Sequence, residues 1–110
     1  MTATAVPAFT ETLIVALMER RAVQVTYHGC KRVVCPHAIG RKGERVMMLA
    51  YQVGGETSTG SLATDPTRRW RCLYVDEIEG VAHDNGAWQS AGNYDPACPF
   101  PAADDVAVAV

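Results

Sequence analysis

The sequence predicts a mainly β domain, a small five-stranded, strongly bent barrel capped by one N-terminal α-helix. Two observations carry that expectation. The hydrophobic period is helical up to Arg21 and changes to two from Val23 onward. The alternating segments that follow are short and divided by glycine-bearing turns, so that one helix and five strands fit between residues 9 and 83.

Residues 1–8, "MTATAVPA", are expected to be disordered. Thr10 is the expected N-cap of the helix, Glu11 lies in its first turn, and Phe9 with Ile14 forms a hydrophobic staple. Leu13, Ile14, Leu17 and Met18 share its apolar face, with Arg20 and Arg21 at the end where the helix dipole favours cations. In "VQVTY" the side chains of Val23, Val25 and Tyr27 point one way and Gln24 and Thr26 the other. A turn at Cys30–Lys31 leads to "RVVCPHAIG". A second, eased by Gly43, leads to the long and mostly buried "RVMMLAYQVGG". A polar loop spans residues 54–68. Beyond it "RWRCLYVDEI" is the fourth strand, with Trp70, Cys72 and Tyr74 on one face, and "IEGVAH" is the fifth. Residues 84–110 form an irregular extension with proline at 96, 99 and 101, ending in "DDVAVAV", an alternating segment able to add an edge strand.

Composition narrows the function classes. Apolar residues make up 48 % and charged residues 20 % of the 110, the balance of one folded domain. The longest apolar run, "LIVALM", is far shorter than the roughly 20 residues a bilayer span needs. No basic segment precedes it, so a signal peptide is not expected, and a cytoplasmic location with reduced thiols is. All ten Lys and Arg lie in residues 1–83, against eight Asp and Glu; residues 84–110 carry four Asp alone. That mild polarity demands neither nucleic acid nor a membrane surface.

The stretch "YHGCKRVVCPH" places His28, Cys30, Cys35 and His37 within eleven residues, which invites a zinc reading. Strand geometry argues against it. With the turn at Cys30–Lys31, Cys35 lies opposite Thr26 and His37 opposite Gln24. At about 3.3 Å per residue the four side chains then spread over some 15 Å, whereas zinc needs each within about 2.3 Å of one point. No metal or other cofactor is expected. Cys35 and His37 share a strand face, yet nothing supplies an orienting group or an oxyanion hole, so a catalytic thiol is not expected either. Cys72 reads as core and Cys98 as exposed.

The motif order "ALMERRAVQVTYHG", "RVVCPHAIG", "MLAYQVGG" and "WRCLYVDEI" resembles the WYL-domain family of bacteria, especially its short stand-alone members, over residues 9–82. The resemblance implies an Sm-like or SH3-like β-barrel. It also implies a sensor module of bacterial regulators, many connected with phage defence or DNA damage, several thought to bind nucleic acid or nucleotides. The sequence departs from the family where the naming tripeptide falls on Met47, Met48 and Leu49, and where two frequent arginines fall on Tyr74 and Glu77. No helix-turn-helix segment accompanies the domain.

Six residues are candidates for ligand contact. Arg32 and Arg71 are suited to an anion on one barrel face, and His37, fixed by Pro36, to a polar contact. Tyr51 and Trp70 flank the long loop and offer stacking on a planar group; Ser58 in that loop offers a hydroxyl. The expected function is non-enzymatic: binding of a small polar or nucleotide-like ligand in a groove bounded by the loop. Single-stranded nucleic acid is expected to bind weakly. The rival expectation is an interaction module, a homodimer joined through "DDVAVAV" across a two-fold axis.

Overall fold

The fold is seen in a computed structural model, whose description covers residues 8–57, 60, 62–94 and 105–110. Ser58 and Cys98 lie outside the described residues. Helix α1 spans Thr10–Met18, and strands follow at β1 Val23–Tyr27, β2 Cys30–Lys42, β3 Arg45–Gly55, β4 Trp70–Tyr74, β5 Ile78–His83 and β6 Asp105–Ala109. The protein is mainly β. All strand pairs are antiparallel, in the order β4-β3-β2-β1-β5, with β6 added to a free stretch of β2. A 3-10 turn, Val75–Glu77, joins β4 to β5, the two ends of that order, so the sheet curls into a barrel-like shape. The Tyr27 hydroxyl accepts from the Tyr74 amide (3.2 Å) and ties β1 to the end of β4.

Helix α1 departs from expectation at both ends. Phe9, not Thr10, is the N-cap residue; Thr10 is the first helical residue, and its buried hydroxyl has no hydrogen-bond partner. At the other end Arg20 adopts φ 52°, with Arg21 N–H donating to Ala16 and Arg20 N–H to Leu17. Those two bonds form a Schellman-type stop, which normally takes glycine. Leu13, Ala16 and Leu17 face the core, whereas Met18 is 59 % exposed and Ile14 only partly covered. The buried stripe therefore runs through 10, 13 and 17 and excludes Met18.

The first hairpin corrects the expected register. Its turn is His28–Gly29, not Cys30–Lys31: Tyr27 pairs with Cys30 and Val25 with Arg32. Both turn residues have positive φ (51° and 77°), as a two-residue type I′ hairpin requires. Cys35 and His37 consequently lie beyond the end of β1. Two bulges then bend the β2–β3 ribbon. Pro36 pairs with Ala50 and Ala38 with Leu49, leaving His37 as the extra residue; Val33 pairs with Gly54 and Val34 with Gln52, leaving Val53.

The sheet has two closed faces. On the inner one Leu13 and Leu17 of α1 pack on Val23, Val25, Val34, Ile39, Met48, Ala50, Leu73 and Ile78. On the outer one Ala38, Met47, Leu49, Cys35 and Tyr51 are covered by Trp70, Tyr74, Trp88, Tyr94 and Ala109. Trp88, Tyr94 and Ala109 belong to the extension, which is thus part of the packed structure. Cys72, expected in the core, is exposed; its neighbour Leu73 points inward. The expected strand in "DDVAVAV" is β6, and it pairs with β2 of its own chain, Ala38 with Ala109 and Arg41 with Asp105.

Candidate functional site

The structure divides the five described candidates between the two faces. Arg32 is opposite Val25, and Arg71 is opposite Ala50; both partners belong to the inner core. Trp70 is opposite Tyr51, on the outer face, where His37 also lies. The expected single cluster of arginines, His37 and aromatic rings does not form. Ser58 lies outside the described residues.

The arginine end is built where β1 and β2 turn, near the start of β4 and the end of β3. Gln52, fully buried, organises it. Its side-chain amide donates to the carbonyls of Gly54 (3.0 Å) and Glu56 (2.8 Å), while its oxygen accepts from Arg71 Nε (3.1 Å). Arg71 also donates to the carbonyls of Arg68 and Trp70 (3.1 and 3.0 Å). Gly55, at φ 82°, lets β3 close on β2: a Cβ there would press on the Lys31 carbonyl and lie 2.8 Å from the Arg32 Cα. Gln52 and Gly55 were not singled out in the sequence, although the paired glycines 54 and 55 were a visible signal.

Arg32 is only 4 % exposed. Its guanidinium lies 5.4 Å from the Tyr27 ring centroid, its Nε is buried without a partner, and among the described residues no carboxylate pairs with it. Burial, and next the nearby charge of Arg32, lower the Arg71 pKa. The two guanidinium groups are near enough to repel each other, and among the described residues no carboxylate is paired with either. Asp76 and Glu77 bind Arg45, which also lies over the Tyr74 ring, and Glu77 contacts His28.

His37 occupies a different environment. It is fully buried in a cage formed by Trp88 (stacked, centroids 4.2 Å apart), Trp70 (edge-on, 4.7 Å) and Tyr94 (edge-on, 4.8 Å). Nδ1 lies 2.7 Å from the Cys35 carbonyl, so Nδ1 carries the proton; Nε2 is buried without a partner. Burial pushes the imidazole pKa below its usual value, opposed by the Cys35 hydrogen bond and helped by the charge of Arg20. The Cys35 thiol is pushed up by burial and accepts from the Gln89 amide (3.3 Å). Trp88 Nε1 donates to the Pro36 carbonyl (3.1 Å) and Trp70 Nε1 to Asn93 Oδ1 (2.9 Å). The sequence reading missed Trp88, Asn93 and Tyr94, because they sit in a segment with no periodic pattern.

The Cys/His set does not converge. His28 is on the exposed turn, Cys30 donates weakly to the Thr57 carbonyl, and Cys35 and His37 point into separate contacts. Among the described residues no three His, Cys, Asp or Glu side chains gather as a metal site would require. Among those residues, too, no helix is long and apolar enough to cross a membrane. Set against known proteins, the chain matches no protein-family model, no curated protein and no solved structure. The fold and its arginine end together define a small helix-capped β-barrel with an unneutralised cationic site.

Proposed function

We propose that this protein is a non-enzymatic, WYL-like sensing module that binds a small oxyanionic ligand, phosphorylated or carboxylated, at the Arg32–Arg71 end of the barrel. The observation that carries the reading is the 4 % exposure of Arg32 with no carboxylate against it, beside a second guanidinium. A buried donor left without a partner, here Arg32 Nε, costs about 1–3 kcal/mol, and an oxyanion accepting from Arg32 and Arg71 would offset that cost with charge-assisted hydrogen bonds. The non-enzymatic reading is supported by the Cys35–His37 geometry. The imidazole proton is held by a carbonyl rather than facing the thiol, and burial favours the neutral thiol. Tyr51 and Trp70 are on the other face, so recognition at this end rests on charge rather than on base stacking.

Titration calorimetry with inorganic phosphate and nucleoside monophosphates tests the proposal. Micromolar to millimolar binding is expected, and Arg32→Met should weaken it about tenfold or more, the worth of one hydrogen bond to a charged group. No binding by the parent protein, or undiminished binding by the variant, would overturn it.

The rival expectation, a homodimer through "DDVAVAV", would need β6 to leave β2 of its own chain and pair with the same Ala38–Arg41 edge of another copy. Light scattering that finds only monomers at all concentrations rejects it.

A further inference from the structure

The most enclosed polar side chain of the outer face, His37, takes no part in the proposed anion site. We infer that residues 84–94 form a strap that closes over this face only while His37 is unprotonated, and that acidification opens it. The imidazole is fully buried, its Nδ1 proton is held by the Cys35 carbonyl, and Nε2 faces the cage as a bare lone pair. A second proton would have to sit on Nε2, where no acceptor meets it. A buried N–H without a partner costs its full desolvation, and a buried charge more.

The groups around the cage do not offset that cost. From the end of α1, Arg20 lies 5.8 Å from the Trp88 ring centroid and repels added positive charge. On β2 the neighbouring thiol of Cys35 is neutral, since burial raises its pKa. From β3 and β4 come the rings of Tyr51 and Trp70. On the strap itself, Asp84 acts on Cys35, and the Tyr94 hydroxyl donates to the main-chain oxygen of Val110 (2.8 Å), with the His37 carbonyl 3.3 Å away. An imidazolium would be relieved only by water, and water reaches Nε2 when Trp88 and Tyr94 withdraw.

The strap is the covering element without regular backbone pairing. It forms no strand, and its ties to the barrel include Asp84 N–H to Ala22 O, Gln89 N–H to the Cys35 sulfur, Trp88 Nε1 to Pro36 O, and the bonds of Asn93 with Trp70 Nε1 and Thr67 O. The sign follows from the direction of the shift. A base whose folded pKa is lowered stabilises the closed form fully above its ordinary value of 6.5 and loses that contribution as pH falls through the folded value.

Two measurements on the full chain test the inference. In NMR titrations His37 should titrate below 6.5 in the parent, and Trp88→Ala should return it toward that value. Titration at or above 6.5 in the parent, or an unmoved value in the variant, overturns the inference. Between pH 7.5 and 5, tryptophan emission should shift to the red and iodide quenching should rise at least twofold. His37→Phe, which keeps a ring in the cage, should abolish that response. A pH-independent parent, or a His37→Phe protein that responds as the parent does, also overturns it. If His37→Phe fails to fold, the Trp88→Ala titration still decides.

Discussion

The inner face of the sheet is closed by a helix and the outer face by an irregular segment, and the two use different chemistry. Leu13 and Leu17 meet valines, isoleucines and Met48. On the outer face four of the rings carry a polar duty: Trp88 and Trp70 donate from indole nitrogen, Tyr94 from its hydroxyl, and His37 from Nδ1. Aliphatic packing is non-directional and depends on area removed from water, so a helix with a clean apolar stripe suffices there. Outer closure rests on a few directional contacts from a segment without regular backbone bonding, which makes it the face open to regulation.

The largest test of that contrast compares one residue from each cover. Leu17→Ala removes a fully buried side chain from the inner core and should cost about 3–5 kcal/mol in denaturant melts. Trp88→Ala removes a half-buried ring from the outer cover and should cost about 1–2 kcal/mol despite the larger side chain. Equal losses would mean that the two faces form one cooperative core.

Gly55→Ala should come next, at about 2–3 kcal/mol, because φ 82° is unfavourable for alanine and the added Cβ presses on Lys31 and Arg32. The same substitution should weaken phosphate binding by displacing Arg32, which calorimetry reads separately from the melt. A variant as stable as the parent would show that β3 closes on β2 by another route. The smallest expected effect has the opposite sign. Without ligand, Arg32→Met should leave stability unchanged or raise it by about 1 kcal/mol, since an apolar chain of similar length replaces an unpaired buried cation. A clear loss would reveal that Arg32 is already neutralised in the free protein.

Much of the architecture was legible in the residue pattern. The period change after Arg21, the alternation of Val23, Val25 and Tyr27, and the bounds Arg45–Gly55 and Ile78–His83 all follow from local periodicity. The hairpin turn was legible too in the positive-φ pair His28–Gly29; a turn placed two residues late displaces every β1 partner of β2. Thr10 failed as a cap because helix entry is set by where Leu13 and Leu17 must point, and that made Phe9 the residue before the helix.

The sequence by itself determined the mainly β class, the one capping helix, the order of the strands along the chain and which of their side chains alternate. These depend on neighbours one to four residues apart. The tertiary structure alone decided that the bulge at His37 puts Ala38 on the outer face beside it and turns Ile39 inward, a shift that leaves no periodic trace. It also decided that Trp88, Asn93 and Tyr94 build the cage around His37, although 51 to 57 residues separate them from the bulge in the sequence. Contacts across such separations are fixed by the curvature of the whole sheet, which no local window contains.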